Sequence, residues 1–191
     1  MQLVLKGFLK IDIQQLKISN INTLKNAILH LGSNQGNRLA YISQACSLIQ
    51  NRIGNIRAKS HVYETEPWGL KEQHYFLNIA LWVQSTLSVG KLFETCKKIE
   101  MEIGREKQQH LGPRNIDIDL IFYENLIVNE PDLVVPHKEM PNRNFVLVPV
   151  LEIAGDWVHP ILNKTVDELY DECDDDGEVI LYGEIDSDYK Q

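Results

Sequence analysis

The stretch "GPRNIDIDLIF", Gly112 to Phe122, sets two carboxylates two residues apart inside an apolar run. Read as a strand, its side chains alternate between faces. Ile116, Ile118 and Leu120 share one face, and Asp117, Asp119 and Ile121 share the other. Two anions side by side on a sheet repel unless a cation stands between them. The plain alternative is an edge strand with one solvated face. The surrounding sequence decides between the two.

Working back from that strand, "NAILHLGSN" is a short apolar strand running into Gly32-Ser33-Asn34. "NRLAYISQACSLIQNRIG" then places Leu39, Ile42, Cys46, Ile49 and Ile53 at helical spacing, with Gly54 as the stop. "NIRAKSHVYE" alternates as one strand, and "TEPWGLKEQH" is a loop punctuated by Pro67 and Gly69. "FLNIALWVQS" is a strand with Leu77, Ile79, Leu81 and Val83 on one face and Phe76, Asn78, Ala80 and Trp82 on the other. A second helix carries Leu92, Cys96, Ile99 and Ile103 as its stripe, with Ser88 as N-cap and Gly104 as stop. The order β-α-β-β-α-β is the split, ferredoxin-like arrangement, in which both helices cover one face of an antiparallel sheet. Asp117, Asp119, Phe76 and Asn78 then share the opposite face.

Downstream, a hairpin is expected at Glu124-Asn125, and "PDLVVPHKEMPNRNFVLVPVLEI" reads as a loop and then a helix. Thr165 and Glu168 have capping-box spacing for a short last helix. Residues 1–26 read as an extension, 27–170 as the domain, and the acidic stretch 171–191 as a solvated, poorly ordered tail.

Composition narrows the function. The net charge of −8 excludes a non-specific nucleic-acid binder, which needs clustered Lys and Arg. The three cysteines show no CxxC spacing, so neither a disulfide framework nor a zinc site is expected. No apolar run approaches the ~20 residues of a membrane span. The opening "MQLVLKGFLKIDIQQLK" is too interrupted by charge for a signal peptide, and a cytoplasmic protein is expected. "GSNQG" lacks the Lys-Ser/Thr ending of a Walker loop. The five histidines His30, His61, His74, His110 and His159 show no metal-ligand spacing and read as structural. Asn163-Lys164-Thr165 matches a glycosylation sequon without meaning in a cytoplasmic chain.

Near the acidic pair lie Arg105, Lys107 and Arg114, followed by His137 and Arg143. Carboxylates that share divalent cations, with guanidinium groups around them, are the parts phosphoryl transfer needs. Trp68, Phe76 and Phe145 have the shape to hold a flat ring, with Asn78 at its edge, although buried aromatics are more often ordinary core. A non-catalytic ligand- or partner-binding protein on the same scaffold is the alternative from another class. A two-metal nuclease or nucleotidyl transferase is a third, opposed by the negative charge and the missing basic track.

Six blocks carry a resemblance, in order: "LGSNQGNR" (31–38), "YETEPWG" (63–69), "FLNIAL" (76–81), "IEMEIGR" (99–105), "LGPRNIDIDLIFY" (111–123) and "VPHKEMPNRNFVLVPVLEIA" (135–154). With them the chain resembles the hydroxymethyldihydropterin pyrophosphokinases of folate biosynthesis. The resemblance implies an α/β (α+β) fold of three layers: the ferredoxin-like core with an added hairpin and C-terminal helices. It implies transfer of pyrophosphate from ATP to 6-hydroxymethyl-7,8-dihydropterin, with release of AMP. Asp117 and Asp119 would hold two Mg²⁺ ions, and Arg105 and Arg114 would lie in a loop closing over ATP. Glu100, Lys107, His137 and Arg143 match further nucleotide positions. Phe76 and Phe145 match the aromatics that sandwich the pterin, Asn78 the amide at its edge, and Thr65, Glu66 and Trp68 the covering loop. Partners would be small molecules, with no nucleic acid and no membrane, in a monomer or a dimer. Two departures stand out. Leu111 takes the place of a common Trp while Trp68 appears in the other loop, and Asp132 falls where a basic residue sometimes contacts the ribose.

Overall fold

A computed structural model describes residues 23–69, 72–104 and 113–185. Five strands build the core of the sheet: β1 (Lys25–Ser33), β2 (Asn55–Lys59), β3 (Val62–Thr65), β4 (Phe76–Ser85) and β5 (Asp117–Tyr123). Helix α1 (Arg38–Arg52) links β1 to β2, and α2 (Val89–Glu102) links β4 to β5. Then come β6 (Val128–Glu130), β7 (Leu133–Val135), α3 (Asn144–Ala154), α4 (Val166–Asp171) and β8 (Val179–Gly183). The main sheet runs β5-β1-β4-β3-β8, with β2 also on β4, and every pairing is antiparallel. This is the expected ferredoxin-like core.

Alternation splits the sheet into two apolar faces. Leu29 and Leu31 of β1, Ile79 and Leu81 of β4 and Ile118 and Leu120 of β5 meet Ile42, Cys46, Ile49, Leu92, Cys96 and Ile99 of α1 and α2. On the other face Ile28, Ala80, Ile121 and Phe122 meet Val146, Leu147 and Val150 of α3 and Val166 and Leu169 of α4. A register shift between Ile28 and Leu29 lets adjacent Ile121 and Phe122 both face α3. Of β5, Ile121 and Phe122 belong to this second cluster, while Asp117 and Asp119 at the strand's start are half-buried.

Helix ends follow local chemistry. The Ser88 side chain caps α2, and Thr165 and Glu168 form the capping box that starts α4.

Four expectations are corrected. "NIRAKSHVYE" forms two strands, because Ser60 leaves the alternating pattern. Its hydroxyl donates to His61 O (2.7 Å) and accepts from Ala80 N (2.9 Å), taking ladder bonds onto a side chain. The hairpin joins β6 to β7 through Pro131-Asp132, whereas Glu124 only turns the chain, at φ 46°. The stretch read as a solvated tail contains β8, whose residues Val179 to Leu181 pair with Thr65 to Tyr63 of β3. The expected extension overlaps the sheet, since β1 begins at Lys25; residues 1–22 lie outside the described residues.

Candidate active site

Ten of the residues singled out from the sequence line one cleft: Thr65, Glu66, Trp68, Phe76, Asn78, Arg114, Asp117, Asp119, Arg143 and Phe145. The strands place them. Asp119 lies opposite His30 and Asp117 opposite Gly32 on β1, and Gly32 lies opposite Asn78 on β4. One row across three strands therefore runs from the acids to the amide.

Among the described residues the acidic half leaves buried polar atoms without partners. Burial first, and the neighbouring Asp117 second, raise the Asp119 carboxyl above the usual carboxylate range. Arg114 forms an ion pair with Asp117. His137 donates its backbone N–H to Ile121 O (3.0 Å), but its buried Nδ1 has no hydrogen-bond partner among the described residues. Burial lowers the His137 pKa, against the opposing pull of Asp119. Arg143 Nε is likewise buried and unbonded. Two neighbouring carboxylates, Asp119 desolvated and Asp117 paired with Arg114, beside polar atoms without partners among the described residues, are a donor set that fits a hard divalent cation carrying a polyanion.

Glu100 sits elsewhere. It is 2% exposed, and its carboxylate accepts from Lys97 Nζ (2.7 Å) and from the backbone N–H of Ile118 (2.7 Å). It thus grips the strand between the two aspartates from the side of α2 and does not line the cleft. Arg105 and Lys107 lie outside the described residues.

The aromatic half is held largely by hydrogen bonds within the protein. Asn78, 1% exposed, donates from Nδ2 to Thr65 Oγ1 at 2.7 Å. Phe76 and Phe145 flank the cleft, and the Arg143 guanidinium lies 4.2 Å from the centroid of Trp68 and 5.8 Å from that of Phe145. Arg143 thus stands between the aromatic rings and links the two halves.

Four further residues belong to this arrangement. His30, read from the sequence as structural, lines the cleft. Pro149 inside α3 has no N–H to donate to the Phe145 carbonyl four residues earlier. His30 Nε2 lies 3.1 Å from that oxygen, so the ring donates there in place of the helix. Burial holds the His30 pKa down at about 4, which keeps the ring neutral. Gly32 is the second: a Cβ there would lie 2.9 Å from Asn78 Oδ1. Asn34 is the third. Its Oδ1 accepts from Arg114 N (2.8 Å), and its Nδ2 donates to Gln73 Oε1 (3.0 Å) and His74 O (3.3 Å). It ties together the bases of the 70s loop and the loop before β5. Gln73, the fourth, lines the cleft itself. Alternation in β1 puts His30 and Gly32 on the Asp119 face, which was the available signal. Nothing local marks Asn34 or Gln73.

An acidic pair and a guanidinium beside an aromatic slot, on the open face of a ferredoxin-like sheet, define the class: a small-molecule transferase. The model of 7,8-dihydro-6-hydroxymethylpterin-pyrophosphokinase (HPPK) matches residues 28–155. The 2-amino-4-hydroxy-6-hydroxymethyldihydropteridine pyrophosphokinase of Methylorubrum extorquens is 39% identical over 155 residues, covering 81% of this chain and 97% of the relative. A folic acid synthesis protein of Pneumocystis carinii is 35% identical over 83% of this chain, but the chain spans only 22% of that protein's length. The crystal structure of Plasmodium falciparum HPPK-DHPS shares the fold, with a TM-score of 0.63 at 16% identity over 78% of this chain and 45% of that one. The chain belongs to the HPPK family, the pyrophosphokinases of folate biosynthesis. No helix among the described residues is long and apolar enough to cross a membrane.

Proposed function

We propose that this chain transfers the β,γ-pyrophosphate of ATP to the hydroxymethyl oxygen of 6-hydroxymethyl-7,8-dihydropterin. The oxygen bonds to the β-phosphorus, the bond from that phosphorus to the α,β-bridging oxygen breaks, and AMP leaves with the electron pair. The hydroxymethyl proton passes to solvent. The observation that carries this reading is the row Asp119–His30 and Asp117–Gly32–Asn78, which puts the acidic pair beside a slot for a flat ring.

Phe76 and Phe145 stack on the pterin faces, and Asn78, held by Thr65, offers its amide to the ring's polar edge. Asp117 and Asp119 would hold two Mg²⁺ ions, whose chemistry there would be neutralisation of phosphoryl charge. Arg114 leaves its ion pair with Asp117 for the polyphosphate, and Arg143 moves from the aromatic slot toward the same charge as the ring enters. Glu66 and Trp68 cover the ring and exclude water. Arg105, Lys107 and His137 contribute to the nucleotide side. Glu100 acts through the backbone of Ile118, holding the two aspartates in register.

The test is product analysis. Protein with MgATP and the reduced pterin alcohol should form AMP and pterin diphosphate in equal amounts. ADP as the product, or nucleotide turnover independent of the pterin, would overturn the reading.

A further inference from the structure

The acidic stretch after α4 does more than trail from the domain. Helix α3, whose second residue is Phe145, starts without a local side-chain cap, because Arg143 precedes it. The missing acceptor comes from 31 residues downstream: Asp175 Oδ2 accepts the backbone N–H of Asn144 at 2.8 Å. The Asn144 side chain in turn donates to the Asp175 carbonyl. The other carboxylate oxygen, Oδ1, accepts from Gly177 N at 3.1 Å and turns the chain into β8. Both oxygens of one exposed-region aspartate are thus committed, one to α3 and one to the strand that follows.

Strand β8 then pairs Val179 with Thr65, the hydroxyl partner of Asn78 and the start of the covering loop. Its far end is also held. Glu184 Oε1 lies 3.0 Å from His61 Nε2, and His61 Nδ1 lies 2.6 Å from Glu152 on α3. Yet β8 buries little: Ile180, Leu181 and Tyr182 are 44%, 59% and 51% exposed. It contributes backbone bonds more than core, so its role is to place what it touches.

Resting on the function proposed above, we infer that Cys173–Glu184 is a strap that sets the aromatic half of the site, with Asp175 as its principal positioning residue. It fixes Phe145 through the first turn of α3, and Thr65 through the β3–β8 ladder. The acidic half receives no bond from it among those described.

The test uses the full chain with Asp175→Ala and Asp175→Asn. Asp175→Ala should raise the pterin KM about tenfold, the scale of one lost cap, with the ATP KM and kcat unchanged within about twofold on the same scale. Asp175→Asn keeps one acceptor oxygen and loses the charge that also reaches Arg143, so it should restore most of the pterin KM. Equal loss in both variants would assign the effect to charge and overturn the cap. Changes in both KM values and kcat together would reduce the strap to general stability. Hydrogen exchange at the amides of residues 144–147 reads the strap without turnover: it should quicken in Asp175→Ala, and unchanged exchange overturns the strap. Wild-type protein that makes no AMP would instead refute the proposed function and leave the exchange result to judge the strap.

Discussion

The acidic and aromatic halves of the cleft share one sheet face but are finished differently. In the aromatic half the groups that shape the slot are bonded within the protein: Asn78 Nδ2 to Thr65, the Phe145 carbonyl to His30, and the Asn144 backbone N–H to Asp175, although Asn144 Oδ1 is buried with no partner among the described residues. In the acidic half Asp119 is raised by burial and by Asp117, and His137 Nδ1 and Arg143 Nε are buried without partners among the described residues. The difference separates two ways of building a site. One half is assembled by folding and costs stability when disturbed. The other is completed by what it binds and costs stability as it stands.

Substitutions should break the two halves in different ways. Asp119→Asn is expected to have the largest effect on activity, a loss in kcat of about 10³-fold or more, from the removal of electrostatic stabilisation at the transferring group. Its melting temperature should hold or rise. A carboxylate raised in the folded state penalises folding at pH values above its ordinary pKa, and the amide removes that penalty. A variant that loses activity only in proportion to a fall in melting temperature would erase the distinction between the halves.

Gly32→Ala comes next. Its Cβ would press on Asn78 Oδ1, so it should raise the pterin KM by roughly tenfold or more and lower stability by about 1–3 kcal/mol, the range for overpacking. ATP affinity should change much less. Phe145→Ala should follow a similar direction, since one stacking face is worth roughly 1–3 kcal/mol by analogy with nucleic-acid bases. If either variant weakens ATP and spares the pterin, the assignment of the halves is reversed.

The smallest effect concerns pH at the strap's far end. Glu152 first, then Glu184, raise the pKa of exposed His61, and the Tyr63 hydroxyl shares Glu152. A raised histidine pKa stabilises the fold below its ordinary value of ~6.5, and the contribution disappears as pH rises through the folded value. Exchange at the amides of residues 180–184 should therefore quicken from pH 6 to pH 9 beyond its intrinsic base dependence, and His61→Ala should remove that excess. An excess that survives in His61→Ala would place the titration elsewhere.

Much of this was legible from sequence where chemistry is local. Alternation in "NIDIDLIF" put Asp117 and Asp119 on one face, and the spacing of Thr165 and Glu168 gave the capping box. What was not legible depends on partners far along the chain. His30 looked structural because its role arises from Pro149, more than a hundred residues later, freeing the Phe145 carbonyl. Strand β8 was hidden because its acidic approach reads as solvated, and its pairing with β3 is a long-range event. Ser60 broke a strand through a hydroxyl bond that periodicity does not register.

The central claim is that the acidic pair is completed by metal and nucleotide together. Thermal melting of wild type and of the doubly substituted Asp117→Asn, Asp119→Asn protein, with Mg²⁺ and an unreactive ATP analogue alone and combined, tests it most directly. The account predicts that wild type gains roughly 5–10 °C at saturating levels of both, and far less with either alone. The double variant should start at an equal or higher melting temperature and gain nothing from the pair. A double variant that gains as much as wild type would contradict the claim.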